Sequence, residues 1–150
     1  MRGSCVLLIP ILTLGAMTGA CGSASDRQPT ILEARLQPYV VDIPVPSDFR
    51  LKPRLSEHRR TAGRREVRHI YEGRSDPIAV RNFYEHYMPD SGWEMVDDTL
   101  KKGHGVFLLN YIKSGERCEI RIERAPAPLF GQVTHIIASL QPNTPPMPRP

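Results

Sequence analysis

The stretch that decides the fold is "EVRHIYEGRSDPIAVRNFYEHYMPDSGWEMV", residues 66–96. Its first part alternates. Val67, His69 and Tyr71 share one side, and Arg68 and Glu72 the other, as on a strand buried on one face. Ile70 breaks the alternation, so the second face is expected to be partly covered, and Gly73 ends the strand. The period then changes. Asp76 is a good helix N-cap and Pro77 suits the first helical position. Val80, Phe83, Tyr84 and Tyr87 recur at helical spacing and form one apolar stripe, the face that packs on a sheet. Arg81 and Glu85 stand four apart on the outer side and can pair. Pro89 and Gly92 terminate the helix, and Trp93 opens the next strand.

Downstream, strands follow one another through short turns. "GWEMVDDTL" alternates, with Trp93, Met95 and Asp97 opposite Glu94 and Val96. "KKGHG" reads as a turn, "VFLLNYI" (106–112) as a central strand and "KSGE" as a second turn. "RCEIRIER" alternates cleanly, with Cys118, Ile120 and Ile122 inward and Glu119, Arg121 and Glu123 outward. After the loop "APAPLFG", residues 132–141 form the last strand. Turns of two to five residues favour antiparallel neighbours. The fold class is therefore α+β, with one helix packed on an antiparallel sheet in the order strand, helix, then a four-strand meander. The expected buried layer combines Val67, Val80, Phe83, Tyr84, Tyr87, Trp93, Leu108, Ile120, Ile122 and Ile136.

Upstream the signal fades. Residues 50–68 hold eight basic side chains, with Glu57 and Glu66 the only acids. One reading is a contact surface for an anionic partner through Arg54, Arg59, Arg60, Arg64 and Arg65, such as lipid head groups, lipopolysaccharide phosphates or an acidic protein. The other is a solvated loop whose arginines pair locally. The lack of an apolar face and the break at Gly63 favour the loop. "PYVVDIPVP" (38–46) is β-rich but punctuated by proline, so it is at best an edge strand or an arm lying on the domain. Residues 22–37 read as a flexible tether. The expected organisation is a leader over 1–20, a lipidated Cys21 with tether or arm over 21–45, one domain over 46–141 and a disordered proline-rich tail over 142–150.

The leader has a basic start at Arg2, an apolar run from Val6 to Met17 and small residues at Gly19 and Ala20, the layout of an export signal. A spanning helix needs about 20 apolar residues, more than this run offers. "TGAC" (18–21) resembles a bacterial lipobox, carried by Gly19, Ala20 and Cys21, with Thr18 where leucine is usual. The resemblance implies that Cys21 receives a diacylglycerol and an amide-linked acyl chain, and that the preceding residues are removed. More than one acyl chain gives stable anchoring. Gly22 stands where an aspartate would imply inner-membrane retention. The implied address is thus the outer membrane, facing the periplasm, ahead of the inner membrane. An ordinary secreted protein cut after Ala20 or near Ser25 is the alternative. A second stretch, 69–96, is similar to a segment of small envelope lipoproteins of uncharacterised function. Tyr71, Gly73, Phe83-Tyr84, Met88-Pro89 and Gly92-Trp93 carry the likeness, which implies a fold and a class but no activity.

The chain has 150 residues and a net charge of +4. Arg2 is the only charge before Cys21, leaving 19 basic against 16 acidic residues, too mild and too dispersed an excess for nucleic-acid binding. Of three cysteines, Cys5 lies in the leader and Cys21 in the lipobox, so Cys118 has no disulfide partner. It reads as a buried small hydrophobe, with a nucleophile or an intermolecular bridge as the alternatives. His58, His69, His86, His104 and His135 show no metal-site spacing. His69, His135 and Cys118 could meet on a sheet, but no orienting acid or amide is evident. No catalytic residue, metal or cofactor is therefore expected. The expected function is a lipid-anchored envelope protein with a binding or structural role. Its partners would be the membrane and either an envelope protein or anionic lipid head groups. The alternatives are a small-ligand or lipid-binding periplasmic module and, last, a thiol-dependent enzyme using Cys118.

Overall fold

The computed structural model describes residues 31–101, 105–127 and 131–143. Seven strands form one antiparallel sheet: β1 (Arg50–Leu51), β2 (Glu57–Thr61), β3 (Arg64–Gly73), β4 (Glu94–Lys101), β5 (Val106–Lys113), β6 (Glu116–Pro126) and β7 (Gln132–Pro142). Their order is β1-β3-β7-β6-β5-β4, with β2 pairing further along the same strand β3. The helix α1 (Pro77–Asp90) follows β3 and carries the chain to β4 at the far edge. The meander then returns, and β7 closes against β3 through Val67↔Leu140 to Gly73↔Thr134. One helix on an antiparallel sheet is the expected architecture. The sheet is larger than expected, with seven strands instead of five, and the strand order differs because β1 and β2 extend it beyond β3.

The helix ends as its sequence dictates. The Ile78 amide donates to Asp76 Oδ1 at 2.9 Å, and Pro77 needs no donor at the first position. At the other end the Ser91 and Trp93 amides both donate to the Met88 carbonyl, and Gly92 takes the left-handed φ of 82° that lets the chain turn. Two hairpins need the same freedom. Ser114-Gly115 joins β5 to β6 and Ala62-Gly63 joins β2 to β3, each with both φ values positive, the two-residue turn whose twist matches the flanking strands.

The inner face of the sheet is covered by two things. One is α1, through Val80, Phe83, Tyr84 and Met88, with Tyr87 half-buried. The other is residues 32–49, where Leu32, Val40, Ile43, Val45 and Phe49 sit in the core. The described part of the expected tether, from Leu32 onward, is thus packed, and the domain core begins before residue 46. Phe49 lies so close to Gly73 that a Cβ there would fall 2.7 Å from its ring. From the expected core, Val67, Val80, Phe83, Tyr84, Trp93, Ile120, Ile122 and Ile136 are buried, but Leu109 replaces Leu108. Leu108 pairs with Arg121 on the outer face, whereas Leu109 pairs with Ile120 on the inner one. A bulge at Val96 similarly shifts the phase of β4, so Asp98 shares the inner side with Met95, and Asp97 points outward. No helix or strand among the described residues covers the outer face. Pro142, expected in the tail, pairs with Glu116, and the Asn143 amide donates to the Gly115 carbonyl at 2.8 Å.

Candidate functional site

The basic stretch 50–68 is not a solvated loop. Most of it is β1, a 3-10 turn at Pro53–Leu55, and the β2–β3 hairpin. All five residues of β2 are exposed, so hydrophobic burial does not hold it. Backbone pairing with β3 does. Strand alternation then divides the basic side chains between two faces. Arg59 and Arg64 belong to the outer side with Arg68, Glu57 and Glu66, while His58 and Arg60 stand on the inner side opposite Val67 and Arg65.

The outer side forms an open cleft of about 570 Å³. Arg59, Arg64 and Arg68 line it with Glu57 and Glu66, and β7 contributes Ser139 and Gln141. Arg59 pairs with Glu57 at 3.3 Å in solvent, an interaction of little strength. Arg68 donates only to the Leu55 carbonyl, at 3.4 Å. Among the described residues, neither Arg64 nor Arg68 has a carboxylate partner. The cleft therefore offers three guanidinium groups against two carboxylates on the outer face.

Arg65 does the opposite. It donates to Asp42 Oδ1 and Oδ2 at 2.8 and 2.9 Å and to Glu116 as well. Its guanidinium hydrogen bonds hold the Asp42 carboxyl below the usual carboxylate range, and the two acids raise the Arg65 pKa in turn. Asp42 also accepts from Lys113 at 3.3 Å, and its carbonyl accepts from Trp93 Nε1 at 2.7 Å. This clamp ties the N-terminal segment to β3, β5, β6 and the end of α1. Of the five arginines singled out as anionic-partner contacts, Arg59 and Arg64 line the cleft. Arg65 is spent on the clamp, Arg60 lies on the inner side, and Arg54 sits exposed on the 3-10 turn. Arg68 was missed, although its i, i+2, i+4 spacing with Glu66 and Arg64 on one strand was a usable signal. Cys21 lies outside the described residues.

The interior holds a second polar set. Tyr71 Oη pairs with His69 Nδ1 at 3.0 Å, and Tyr39 and His58 approach the His69 ring edge-on. Burial, then the nearby His58, lowers the His69 pKa, and burial raises that of Tyr71. Between α1 and the sheet, the buried hydroxyls of Tyr84 and Tyr111 have no hydrogen-bond partner among the described residues. Cys118 is fully buried, and desolvation raises its thiol pKa, so it stays protonated. The sheet separates the residues of the thiol-enzyme reading. Cys118 and His69 face inward, whereas His135 pairs with Glu72 at 3.3 Å on the outer side. Among the described residues, no three His, Cys, Asp or Glu side chains group as a metal site.

No curated protein and no solved structure matches the chain. Residues 55–135, from the 3-10 turn through α1 and the meander into β7, match the START domain-like family, and that match covers more than half of the chain. The chain belongs to the START domain-like family.

Proposed function

We propose that this chain is a non-catalytic binding module of the cell envelope, held to a membrane through lipid on Cys21, that receives an anionic group, phosphate or carboxylate, in the cleft of Arg59, Arg64 and Arg68. One observation carries this reading. Arg64 and Arg68 line the cleft without a carboxylate partner among the described residues, whereas Arg65 and Arg81 each pair with two acids. A guanidinium presents a planar fork of donors that matches two oxygens of a phosphate or carboxylate, and exposed arginines outside any ion pair among the described residues can turn it to a ligand. Family membership supports a binding role, since START-like domains are generally binding modules. The buried, protonated Cys118 supports a role without thiol chemistry. The lipobox resemblance supports the outer membrane, facing the periplasm.

Calorimetric titration of the full chain with glycerol phosphate tests the cleft. The double variant Arg64→Glu/Arg68→Glu should weaken binding about tenfold or more, the scale of losing charge-assisted hydrogen bonds. Equal affinity of variant and wild type would remove the cleft from the proposal. Cys21→Ser should release the protein from the membrane fraction, and unchanged fractionation would refute acylation.

The partnerless hydroxyls of Tyr84 and Tyr111 favour a second reading, in which a small amphipathic ligand or lipid enters between helix and sheet. Tyr84, Tyr111, Met88 and Ile43 fill that interior, so entry requires the segment 32–49 to move aside. Displacement of a fluorescent fatty acid, weakened in Tyr84→Phe/Tyr111→Phe, would support it. Absence of uptake by wild type would remove it.

A further inference from the structure

The segment 31–41 leaves large apolar side chains in water. Leu36 is 99%, Val41 92%, Ile31 86% and Tyr39 50% exposed, while elsewhere among the described residues no large apolar side chain exceeds the 59% of Ile78. The segment is held in place. Leu32 and Val40 are buried in the core, the Arg35 amide donates to the Val45 carbonyl at 2.8 Å, and Asp42 is clamped by Arg65. The exposed side chains are thus displayed by a fixed backbone, and such a display marks an interaction surface. Two arginines stand beside it, and Glu33 is the one acid exposed on the segment. The Arg35 guanidinium donates to the Phe49 and Ser47 carbonyls and stands 5.8 Å from the Tyr39 ring centre, and Tyr39 and His58 flank the His69 ring at 6.5 and 5.9 Å. Arg60 shares the inner side of β2 with His58.

We propose that this surface, with Leu36, Tyr39 and Val41 as the inserting side chains and Arg35 and Arg60 as the rim, docks the domain on an anionic lipid bilayer. Protruding aliphatic tips, an aromatic ring with a polar end and flanking cations are the combination that suits a head-group layer. Reach supplies the occupant. Nine residues separate Cys21 from Ile31, a span of at most about 35 Å. A lipid on Cys21 would therefore confine this surface close to the bilayer that holds it. That step rests on the acylation in the proposed function, and the chemistry of the surface does not. Docking this way leaves the outer face, with the arginine cleft, turned from the bilayer. The alternation of β2 thus assigns His58 and Arg60 to the membrane side and Arg59 to the ligand side.

The test uses the full chain carrying Cys21→Ser, which cannot be acylated, and vesicles of phosphatidylcholine with phosphatidylglycerol brominated in the acyl chains. Val41→Trp should be quenched about twofold or more, while Val96→Trp on β4 should not, and buried Trp93 serves as an internal reference. Leu36→Asp/Val41→Asp should lower partitioning about tenfold. Both positions are exposed, so unfolding midpoints should match wild type and exclude misfolding. Equal quenching at 41 and 96, or none at 41, would overturn the proposal. So would a preference for pure phosphatidylcholine vesicles. Fractionation of the wild-type lipoprotein reads acylation separately, so each reading can fail alone.

Discussion

Arg64 and Arg65 are neighbours in the chain and differ in everything that follows. Arg64 faces outward into the open cleft, without an acid partner among the described residues. Arg65 faces inward, where Asp42 and Glu116 hold it. A similar division holds over much of the sheet. Inner side chains of β3 to β7 meet α1 or the segment 32–49, while the inner residues of β2, His58 and Arg60, stand exposed. Outer side chains such as Arg64, Arg68 and Arg121 stay in water. Like charges on one strand therefore have separate surroundings, paired with acids inward and set in open solvent outward, because successive side chains of a strand leave opposite faces.

The largest expected effect tests that contrast directly. Arg65→Ala leaves Glu116 partly buried without its cation and Asp42 with only the longer contact to Lys113, and should cost about 2–4 kcal/mol in urea unfolding. Arg64→Ala should stay within about 0.5 kcal/mol. Equal costs would break the division between the two faces. Next is Gly73→Ala on the inner face. Its new methyl would collide with the Phe49 ring and displace it, at about 1–3 kcal/mol, measured as a lowered Tm.

A third test sharpens the comparison through pH. His69 is buried and its pKa lies below that of the unfolded chain. The unfolded state therefore takes up the proton first as pH falls, and stability declines from about 6.5 downward, with a slope no steeper than about 1.4 kcal/mol per pH unit. His69→Gln should flatten that slope in unfolding measured between neutral and mildly acidic pH. A slope unchanged in the variant would refute its assignment to His69. The clamp acts in a lower window. The Asp42 pKa is lowered in the fold, so its contribution is lost only as the carboxylate protonates, below the ordinary range near 4. The smallest effect concerns the orphan hydroxyls. Tyr84→Phe and Tyr111→Phe remove buried polar atoms without partners and should be neutral or stabilising by up to about 1 kcal/mol. A clear loss would show that these hydroxyls have a partner in solution.

Much of the domain from β3 onward was readable because its signals are local. The Asp76-Pro77 start, the stripe through Val80 and Phe83, and the alternation of Cys118, Ile120 and Ile122 each state a period and a buried side. The run "VFLLNYI" states burial but no phase, so Leu108 was chosen where Leu109 belongs. The Val96 bulge shifts a phase that strict alternation cannot anticipate. β2 has no apolar residue to announce it, and the cleft was unreadable because Ser139 and Gln141 reach it from the far end of the chain.

The sequence by itself determined the helix with its ends, the meander and the inward residues of β3 and β6, since caps, turn residues and periodicity act between near neighbours. Tertiary structure alone decided that residues 32–49 complete the core, that Arg65 is committed to two acids while Arg64 lines the outer cleft, and that an apolar arm stands exposed beside basic side chains. Those outcomes depend on contacts between residues distant in the chain, such as Asp42 with Arg65 and Glu116. Their energies come from burial and charge pairing that exist only once the sheet has formed.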